Sequence, residues 1–270
     1  MSDTALLLDV AAEVARIAGD TALRYFRTGI AVEAKGDGTP VTVADRTAEQ
    51  VGRDWLRRRF PDDGILGEEL GEERPGARRR WVLDPIDGTK TFVRGVPLWG
   101  SMVALLEGEE VLVGAIYCPA VGELVVAAPG EGCWWNGSRS TVSSVGALAD
   151  ATILTTDERF AGHPQRAAAW RDLAARAAIS RTWGDCYGYL LIATGRAELM
   201  TDPILSPWDA AALLPVITEA GGVYTDWRGR VTTLEHAGVV ATNALLAAEI
   251  RAALGVSPDA DGRGPRAESR

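Results

Sequence analysis

The fold of this chain is decided by one stretch, WVLDPIDGTKTF, which runs from Trp81 to Phe92. Its apolar beginning, from Trp81 to Leu83, predicts a short buried strand. That strand delivers two carboxylates, Asp84 and Asp87, onto a turn that contains a glycine. A strand end of this kind, facing the first turn of a helix, suits an anion held beside a metal ion.

The residues around the two carboxylates favour the same interpretation. Pro85 fixes its own backbone φ angle and holds Asp84 extended. Gly88 lets the backbone approach a ligand closely, and Thr89 offers a hydroxyl and an amide at a candidate helix start. A plain alternative stays open at this point. Because Asp, Pro and Gly are ordinary turn residues, the stretch also fits an acidic turn whose Asp residues cap a helix.

Two other stretches bring carboxylates to the ends of predicted elements. Upstream, a strand-like run that begins at Ile65 ends in Glu68 and Glu69. Downstream, Asp209 lies at the beginning of an apolar helix predicted from Trp208 to Ala220. Carboxylates without Cys or His partners favour hard divalent cations over zinc or copper. The sequence therefore predicts a site for a magnesium-like ion.

These stretches resemble the signature set of the inositol monophosphatase family of magnesium-dependent phosphatases. The set comprises Gly67-Glu68-Glu69, Asp84 to Thr89, Trp208-Asp209 and Glu219 to Gly222, and its order and spacing fit from about Ala5 to Leu254. The resemblance implies an α+β and α/β layered sandwich of alternating helix and sheet layers. It also implies a homodimer that hydrolyses a small-molecule phosphate monoester with two or three Mg²⁺ per site.

Within the family, the continuation from Lys90 to Trp99 most resembles the histidinol-phosphate phosphatase branch. Inositol-specific members usually carry His where this chain has Arg94, and Asn is common at the position of Thr91. The resemblance therefore implies hydrolysis of L-histidinol phosphate, a reaction of histidine biosynthesis. The alternatives are an inositol-1-phosphate phosphatase, a broader sugar or nucleotide 3′-phosphate phosphatase, or a catalytically silent metal-binding interaction protein. The complete acidic set argues against the last of these.

By resemblance, five residues hold the metal ions. Glu68, Asp84 and the Ile86 carbonyl belong to the first ion, and Asp84, Asp87 and Asp209 to the second. Asp87 and Asp209 also contact the substrate in this scheme. Serine-nucleophile, Walker and Cys-based phosphatase motifs are absent from the sequence, which favours metal-activated water over a covalent phosphoenzyme.

The resemblance also implies the catalytic and phosphate-binding roles. Glu68 and Thr89 position the attacking water, while the amides of Gly88 and Thr89 cradle the phosphate. Asp45 orients a water or supports a loosely held extra ion. Its alternative role is a plain one, because an acidic residue in the first turn of a helix interacts favourably with the helix dipole. Lys35 matches, more weakly, a basic residue on a mobile loop.

Substrate selection is predicted at Asp185 and Asp202, which fall where family members contact the non-phosphate part of the substrate. A carboxylate pair complements the ammonium and imidazole of histidinol phosphate better than it complements a neutral polyol. Both residues also fit a structural role as caps or hydrogen-bond partners. Arg94 has two candidate partners, a neighbouring subunit and the phosphate.

Composition narrows the class of protein. The chain has 270 residues, 47% of them hydrophobic and 24% charged, which is enough to bury a large core. A net charge of −9 argues against a nucleic-acid surface. No apolar run reaches membrane-spanning length, and the first residues lack a signal peptide, so the sequence predicts a cytoplasmic enzyme without a membrane partner. The three cysteines are scattered and predict buried, reduced thiols.

The order of the predicted helices and strands indicates two halves and a C-terminal tail. Residues 1–141 form an α+β half with an antiparallel sheet and most metal ligands, and residues 142–255 form an α/β half. Residues 256–270 lack apolar periodicity and predict a disordered tail. Helices are predicted from about Thr4 to Arg27 and from Ala244 to Leu254, the latter with Thr242 as its N-cap.

Overall fold

The computed structural model describes residues 3–36 and 38–256. Their helices are, in chain order, α1 (Asp3–Leu23), α2 (Val43–Arg59), α3 (Thr89–Val93), α4 (Pro164–Ala174), α5 (Asp185–Ala193), α6 (Pro207–Ala210), α7 (Leu213–Glu219) and α8 (Ala247–Ala253). A 3-10 helix spans Leu148–Asp150. Their strands are β1 (Val32–Ala34), β2 (Pro40–Thr42), β3 (Gly64–Gly67), β4 (Gly71–Glu73), β5 (Arg79–Asp87), β6 (Gly100–Glu107), β7 (Glu110–Cys118), β8 (Glu123–Ala128), β9 (Gly132–Trp135), β10 (Ser138–Ser140), β11 (Thr152–Leu154), β12 (Ile179–Arg181), β13 (Leu199–Leu205), β14 (Val223–Asp226) and β15 (Ala237–Thr242).

Strand β5 contains the apolar run that opens the deciding stretch and continues to its second carboxylate. It pairs parallel with β3 and antiparallel with β6. Asp84 lies opposite Met102, but Asp87 lies opposite Gly100, so the register shifts between the two carboxylates. Pro85 lies within this shift. Because proline has no amide hydrogen for the ladder, an irregular strand end is where it is tolerated.

The larger sheet has eight strands in the order β10-β9-β8-β7-β6-β5-β3-β4. Alternate side chains of β6 point to opposite faces of this sheet. Val103 packs in one cluster with Val14 of α1, whereas its neighbour Met102 packs in another with Leu190 of α5 and Ile217 of α7. Both faces of the sheet are therefore covered by helices.

The smaller sheet has five strands in the order β12-β11-β13-β15-β14. Strand β11 is parallel to both of its neighbours, and β15 is antiparallel to both of its own. On one face of this sheet Met200 packs with the cluster that contains helices α5 and α7. On the other face Leu199 packs with Trp170 of α4 and Ile250 of α8. Five layers result, alternating between helices and sheets, and they confirm the predicted layered sandwich.

One predicted helix is two helices in the structure. The segment from Trp208 to Ala220 divides into α6 and α7. Pro215 explains the division, because it has no amide hydrogen to donate to the carbonyl of Ala211 one turn earlier. Ala211 and Ala212, between the two helices, keep right-handed helical dihedrals, so only the hydrogen-bond pattern is interrupted.

Two other predicted boundaries are wrong. The first helix ends before Arg27, and the last begins after Ala244, at the bounds given above. Thr242, the predicted cap, is instead the last residue of β15. Helix α8 has Leu246 as its N-cap, without a side-chain capping bond. In the turn before it, the Leu246 amide donates a hydrogen bond of 3.0 Å to Asn243 Oδ1.

The division into two halves stays a prediction. The larger sheet ends at Ser140 and the smaller one begins at Thr152, but the helices between them pack on both sheets. Of the predicted tail, only Val256 lies within the described residues. Among those residues, no helix combines the length and the apolar character that a membrane span requires.

Candidate active site

Three carboxylates from two elements meet at one point of the fold. One oxygen each of Asp84, Asp87 and Asp209 lies within 4.8 Å of the others. Asp209 belongs to α6, where its Oδ2 accepts a hydrogen bond of 2.8 Å from the Ser206 amide as part of a capping box. The Cys186 amide, in the first turn of α5, donates to Asp87 Oδ2. The packing of α6 against β5 thus brings Asp209 to the two carboxylates of the strand.

The electrostatics of this group favour a bound cation. Burial raises the pKa of Asp84 and of Asp87 well above the usual range of an aspartate, and the neighbouring carboxylates raise it further. Burial also raises the pKa of Asp209 to about 7. Negative charges held together away from water are unfavourable unless a positive charge compensates them. Since the ligand atoms are all carboxylate oxygens, the residues present fit a hard divalent cation.

Glu68 faces the same cavity but is paired with a lysine in this structure. The Lys35 ammonium donates to Glu68 Oε1 at 2.7 Å and to Glu69 Oε1 at 2.6 Å. Burial works against the charge on Lys35, but the two carboxylates outweigh it and raise the pKa of the lysine. For the carboxyl group of Glu69, burial acts in the opposite direction and raises the pKa to about 7. A positive charge therefore already stands beside the first predicted metal ligand.

Thr89 connects the deciding stretch to helix α2. Its Oγ1 lies 3.3 Å from Asp45 Oδ1 and 3.0 Å from the Ile86 carbonyl oxygen, so its single proton serves one acceptor at a time. Asp45 Oδ2 accepts from the amide and the hydroxyl of Thr42, at 2.8 and 2.6 Å, in a capping box. Burial raises the pKa of Asp45. Asp45 thus has both predicted features, a place at the start of a helix and a contact with the site.

Gly88 is required where it stands for two reasons. Its φ of 87° lies in the left-handed region, and a Cβ added there would lie 2.8 Å from Asp185 Oδ2. The Thr91 hydroxyl donates to the same oxygen at 2.9 Å. Burial raises the pKa of Asp185. The chain thus places Asp185 beside the predicted phosphate-binding turn, and the residue that departs from the family pattern, Thr91, holds it there.

Asp202 lies deeper and is satisfied by the protein itself. Its Oδ1 accepts a hydrogen bond of 3.0 Å from the Thr156 amide, and its Oδ2 accepts one of 3.1 Å from the Tyr189 hydroxyl. Burial raises its pKa to about 6. These bonds match the structural role that the sequence left open for Asp202, whereas its part in substrate selection stays a prediction.

One cavity of about 590 Å³ contains the predicted site. Its lining includes all the predicted site residues except Asp45 and Arg94. Arg94 is exposed and lines a separate concavity of about 530 Å³, next to Val32 and Val93. The lining also contains a carboxylate that the sequence analysis missed, Asp157.

Asp157 follows strand β11 closely. The Arg159 side chain donates to it at 2.8 Å and lowers its pKa. A signal for it was present in the sequence, because ligands gather at the carboxyl ends of parallel strands in α/β layers. Thr155, Thr156 and Asp157 directly follow the apolar pair Ile153-Leu154, yet the pairing of β11 with parallel neighbours was not evident from the sequence.

Comparison with known proteins agrees with this geometry. Residues 3–256 match the inositol monophosphatase family. A histidinol-phosphatase of Chlorobaculum parvum is 43% identical over 249 residues, which cover 92% of this chain and 96% of that protein. An inositol-1-monophosphatase of Rhizobium meliloti is 34% identical over 252 residues, covering 91% of this chain and 94% of that protein. The solved structure of an inositol monophosphatase from Zymomonas mobilis has a TM-score of 0.84 and 32% identity, covering 95% of this chain and 100% of that one.

The layered fold, the cleft lined by carboxylates and these relatives together define a phosphomonoesterase. More narrowly, the chain belongs to the inositol monophosphatase family. The resemblance inferred from the signature residues is thereby confirmed.

Proposed function

We propose that this chain is a Mg²⁺-dependent phosphatase that hydrolyses L-histidinol phosphate to L-histidinol and phosphate. The observation that carries the reaction is the meeting of Asp84, Asp87 and Asp209 in one cluster, in which Asp84 is buried and the other two are half-buried. The substrate rests on the relatives, since the histidinol-phosphatase of Chlorobaculum parvum is 43% identical and the inositol-1-monophosphatase of Rhizobium meliloti 34%. The second candidate substrate is therefore an inositol 1-phosphate.

Two or three Mg²⁺ ions complete the proposed site. The proposed ligands of the first ion are Glu68, Asp84 and the Ile86 carbonyl, and those of the second are Asp84, Asp87 and Asp209. The assignment is supported by the neighbouring carboxylates, which add to burial in raising the pKa of Asp84 and of Asp87. Their contribution indicates negative charges held together without a cation between them. When bound, such ions lower the pKa of a water, bind phosphate oxygens and neutralise charge on the leaving oxygen.

Thr89 and Asp45 are proposed to orient the attacking water together with Glu68. If the Ile86 carbonyl serves as a metal ligand, Asp45 is the acceptor left for the Thr89 proton, at 3.3 Å. The lone pairs of the Thr89 hydroxyl then face outward and accept a hydrogen from water. Asp45 acts through Thr89 in this scheme, and its anchoring by Thr42 keeps it in place.

The phosphate is proposed to lie on the amides of Gly88 and Thr89, at the start of α3. Asp185 lies against Gly88, so it is close to the proposed position of the alcohol part of the phosphate ester. A carboxylate there complements the ammonium group of histidinol phosphate. We propose Asp185 as the main selecting residue, with Asp202 behind it and Asp157 at the rim of the cavity.

Arg94 keeps one of its two candidate roles in this proposal. It is exposed and lies outside the main cavity, which favours contact with a second subunit over contact with the phosphate. The proposed assembly is accordingly a homodimer.

The test is phosphate release from L-histidinol phosphate and from myo-inositol 1-phosphate, measured side by side with Mg²⁺ and with a chelator. We expect release that requires Mg²⁺ and a higher kcat/KM for histidinol phosphate. A higher kcat/KM for the inositol ester would keep the mechanism and overturn the substrate. Release that persists in chelator would overturn the metal-dependent mechanism.

A further inference from the structure

One face of helix α2 carries three buried charged side chains. Asp45, Glu49 and Arg53 follow one another at the spacing of successive helical turns, and each is at most 2% exposed. Val51 of the same helix, although apolar, is 37% exposed. Buried charges are costly unless each is paired or hydrogen-bonded. Asp45 has its partners at the site, which leaves the other two to be explained.

The carboxylate of Glu49 binds the turn that follows strand β3. Its Oε2 accepts a hydrogen bond of 2.7 Å from the Glu69 amide, and its Oε1 accepts one of 3.1 Å from the Leu70 amide. The Arg53 Nε donates to the same Oε1 at 2.7 Å. Arg53 also donates through Nη2 to the Gly71 carbonyl. Glu49 and Arg53 of α2 therefore hold the whole turn, from Glu69, the residue after Glu68, to Gly71.

Gly67 provides independent evidence that the sequence accommodates the Glu49 carboxylate beside this turn. A Cβ added at residue 67 would lie 2.0 Å from Glu49 Oε1, so the Glu49 carboxylate would have to move and break the hydrogen bonds that hold it. The backbone of Gly67 does not adopt the left-handed region, so the glycine is not required there by its φ angle. What requires it is the close approach of the Glu49 carboxylate. Thus the residue before Glu68 leaves room for Glu49, and the residue after Glu68 is held by it.

We propose that Glu49, supported by Arg53, is a positioning residue that fixes the orientation of Glu68 towards the cation site. The inference rests on the proposed function, in which Glu68 is a metal ligand and helps to orient the attacking water. Glu49 is not itself placed in contact with the substrate or the ion. Groups that hydrogen-bond a metal ligand tune metal affinity and activity, and Glu49 would have the same effect through the backbone that follows Glu68.

The test compares Glu49→Gln with Glu198→Gln in the full-length enzyme. Glu198 is an apt control because it is also a buried carboxylate that accepts a backbone hydrogen bond, from the Thr152 amide at 2.6 Å, in the smaller sheet. Mg²⁺ affinity is measured by isothermal titration calorimetry, Mg²⁺ dependence by phosphate release, and stability by thermal melting. For Glu49→Gln we expect Mg²⁺ binding about 10- to 100-fold weaker and a lower kcat, with a smaller change in KM. For Glu198→Gln we expect a lower Tm with Mg²⁺ affinity unchanged.

If Glu49→Gln lowers the Tm but binds Mg²⁺ as the unmodified enzyme does, the positioning role is overturned and Glu49 is merely structural. If Glu49→Gln does not fold, Arg53→Lys decides, because it keeps the buried charge and loses the planar fork. Weaker Mg²⁺ binding in Arg53→Lys supports the proposal, and unchanged binding overturns it. Calorimetry needs no substrate, so a failure of the proposed function, seen as no phosphate release by the unmodified enzyme, is distinguishable from a failure of this inference.

Discussion

Buried carboxylates occur in two settings in this protein, a supporting framework and a cleft. In the framework, Asp202 accepts from an amide and a hydroxyl, and Glu49 accepts from two amides and a guanidinium. In the cleft, Asp84, Asp87 and Asp209 each accept from a backbone amide but stand against one another. The negative charge of each framework carboxylate is stabilised by hydrogen-bond donors of the protein. The charges of the cleft carboxylates repel one another, and a bound cation would compensate them. Carboxylates removed wholly or partly from water thus have a structural role in one place and a proposed binding role in the other.

The largest effect that would sharpen this comparison is expected from Asp87→Asn. Losing this cleft carboxylate should lower kcat at least about 1,000-fold, because Asp87 is proposed both to hold a metal ion and to contact the substrate. The metal-free protein should remain folded, since the substitution also relieves repulsion from Asp185 and Asp209. Steady-state phosphate release and circular dichroism measure the two quantities. Substantial turnover in this variant would mean that the assignment of metal ligands is wrong.

The second prediction concerns pH and metal removal. Carboxyls whose pKa is raised on folding bind protons more tightly in the folded chain, so they stabilise it at low pH relative to high pH. For Asp209 this contribution should be lost as the pH rises from about 4 to about 7. In chelator, the Tm should therefore fall across this window, and Mg²⁺ should raise it by roughly 5–10 °C more at pH 8 than at pH 5.

The matched variant for this prediction is Asp209→Asn, which should flatten the dependence of the Tm on pH in chelator. Thermal melts at several pH values, with Mg²⁺ and with chelator, provide the measurement. A Mg²⁺ effect on the Tm that does not change with pH would indicate that the cleft carboxylates are not the groups that bind the ion.

A smaller effect on catalysis is expected from Asp185 and Asp202, which line the cleft but also accept hydrogen bonds from the protein. Asp185→Asn should raise the KM for histidinol phosphate about tenfold and change the KM for inositol 1-phosphate less, because one charge pair with an ammonium is lost. Asp202→Asn should instead lower the Tm, since it disturbs the hydrogen bonds to Thr156 and Tyr189. Kinetics with both substrates, beside thermal melts, separates the two. Equal changes of KM for both esters in Asp185→Asn would argue against its selecting role.

The smallest effect is expected at Lys35, whose ammonium stands where a cation would approach Glu68. Lys35→Met removes this competing charge, so Mg²⁺ should bind roughly threefold more tightly; a partly exposed charge pair contributes little more than that. Calorimetric titration with Mg²⁺ measures the change. Arg46→Met, which breaks the exposed pair with Glu33 on the outer side of α2, is the control and should leave Mg²⁺ affinity unchanged. Weaker Mg²⁺ binding in Lys35→Met would show that the lysine assists the ion rather than competing with it.

Much of the fold and part of the site follow from short-range patterns in the sequence. The apolar run before Asp84 predicted the central strand, and the signature motifs predicted both the family and the layered sandwich. The cavity collects Asp84, Asp87 and Asp209 as that resemblance implied, although their roles remain proposals. Strand periodicity, turn residues and helix starts act over a few residues, so they can be recognised without knowledge of the rest of the chain.

Only the tertiary structure shows which partners the charged side chains of the interior and the cavity have. The sequence analysis assigned no role to Glu49 or Arg53, yet their side chains hold the turn that follows Glu68. Asp202 was predicted to select the substrate, yet its oxygens are taken by Thr156 and Tyr189. Asp157 reached the cavity through strand pairing that the sequence did not reveal. The physical reason is common to all four residues. Long-range packing sets the partners of a charged side chain, whereas the local sequence determines only the element that carries it.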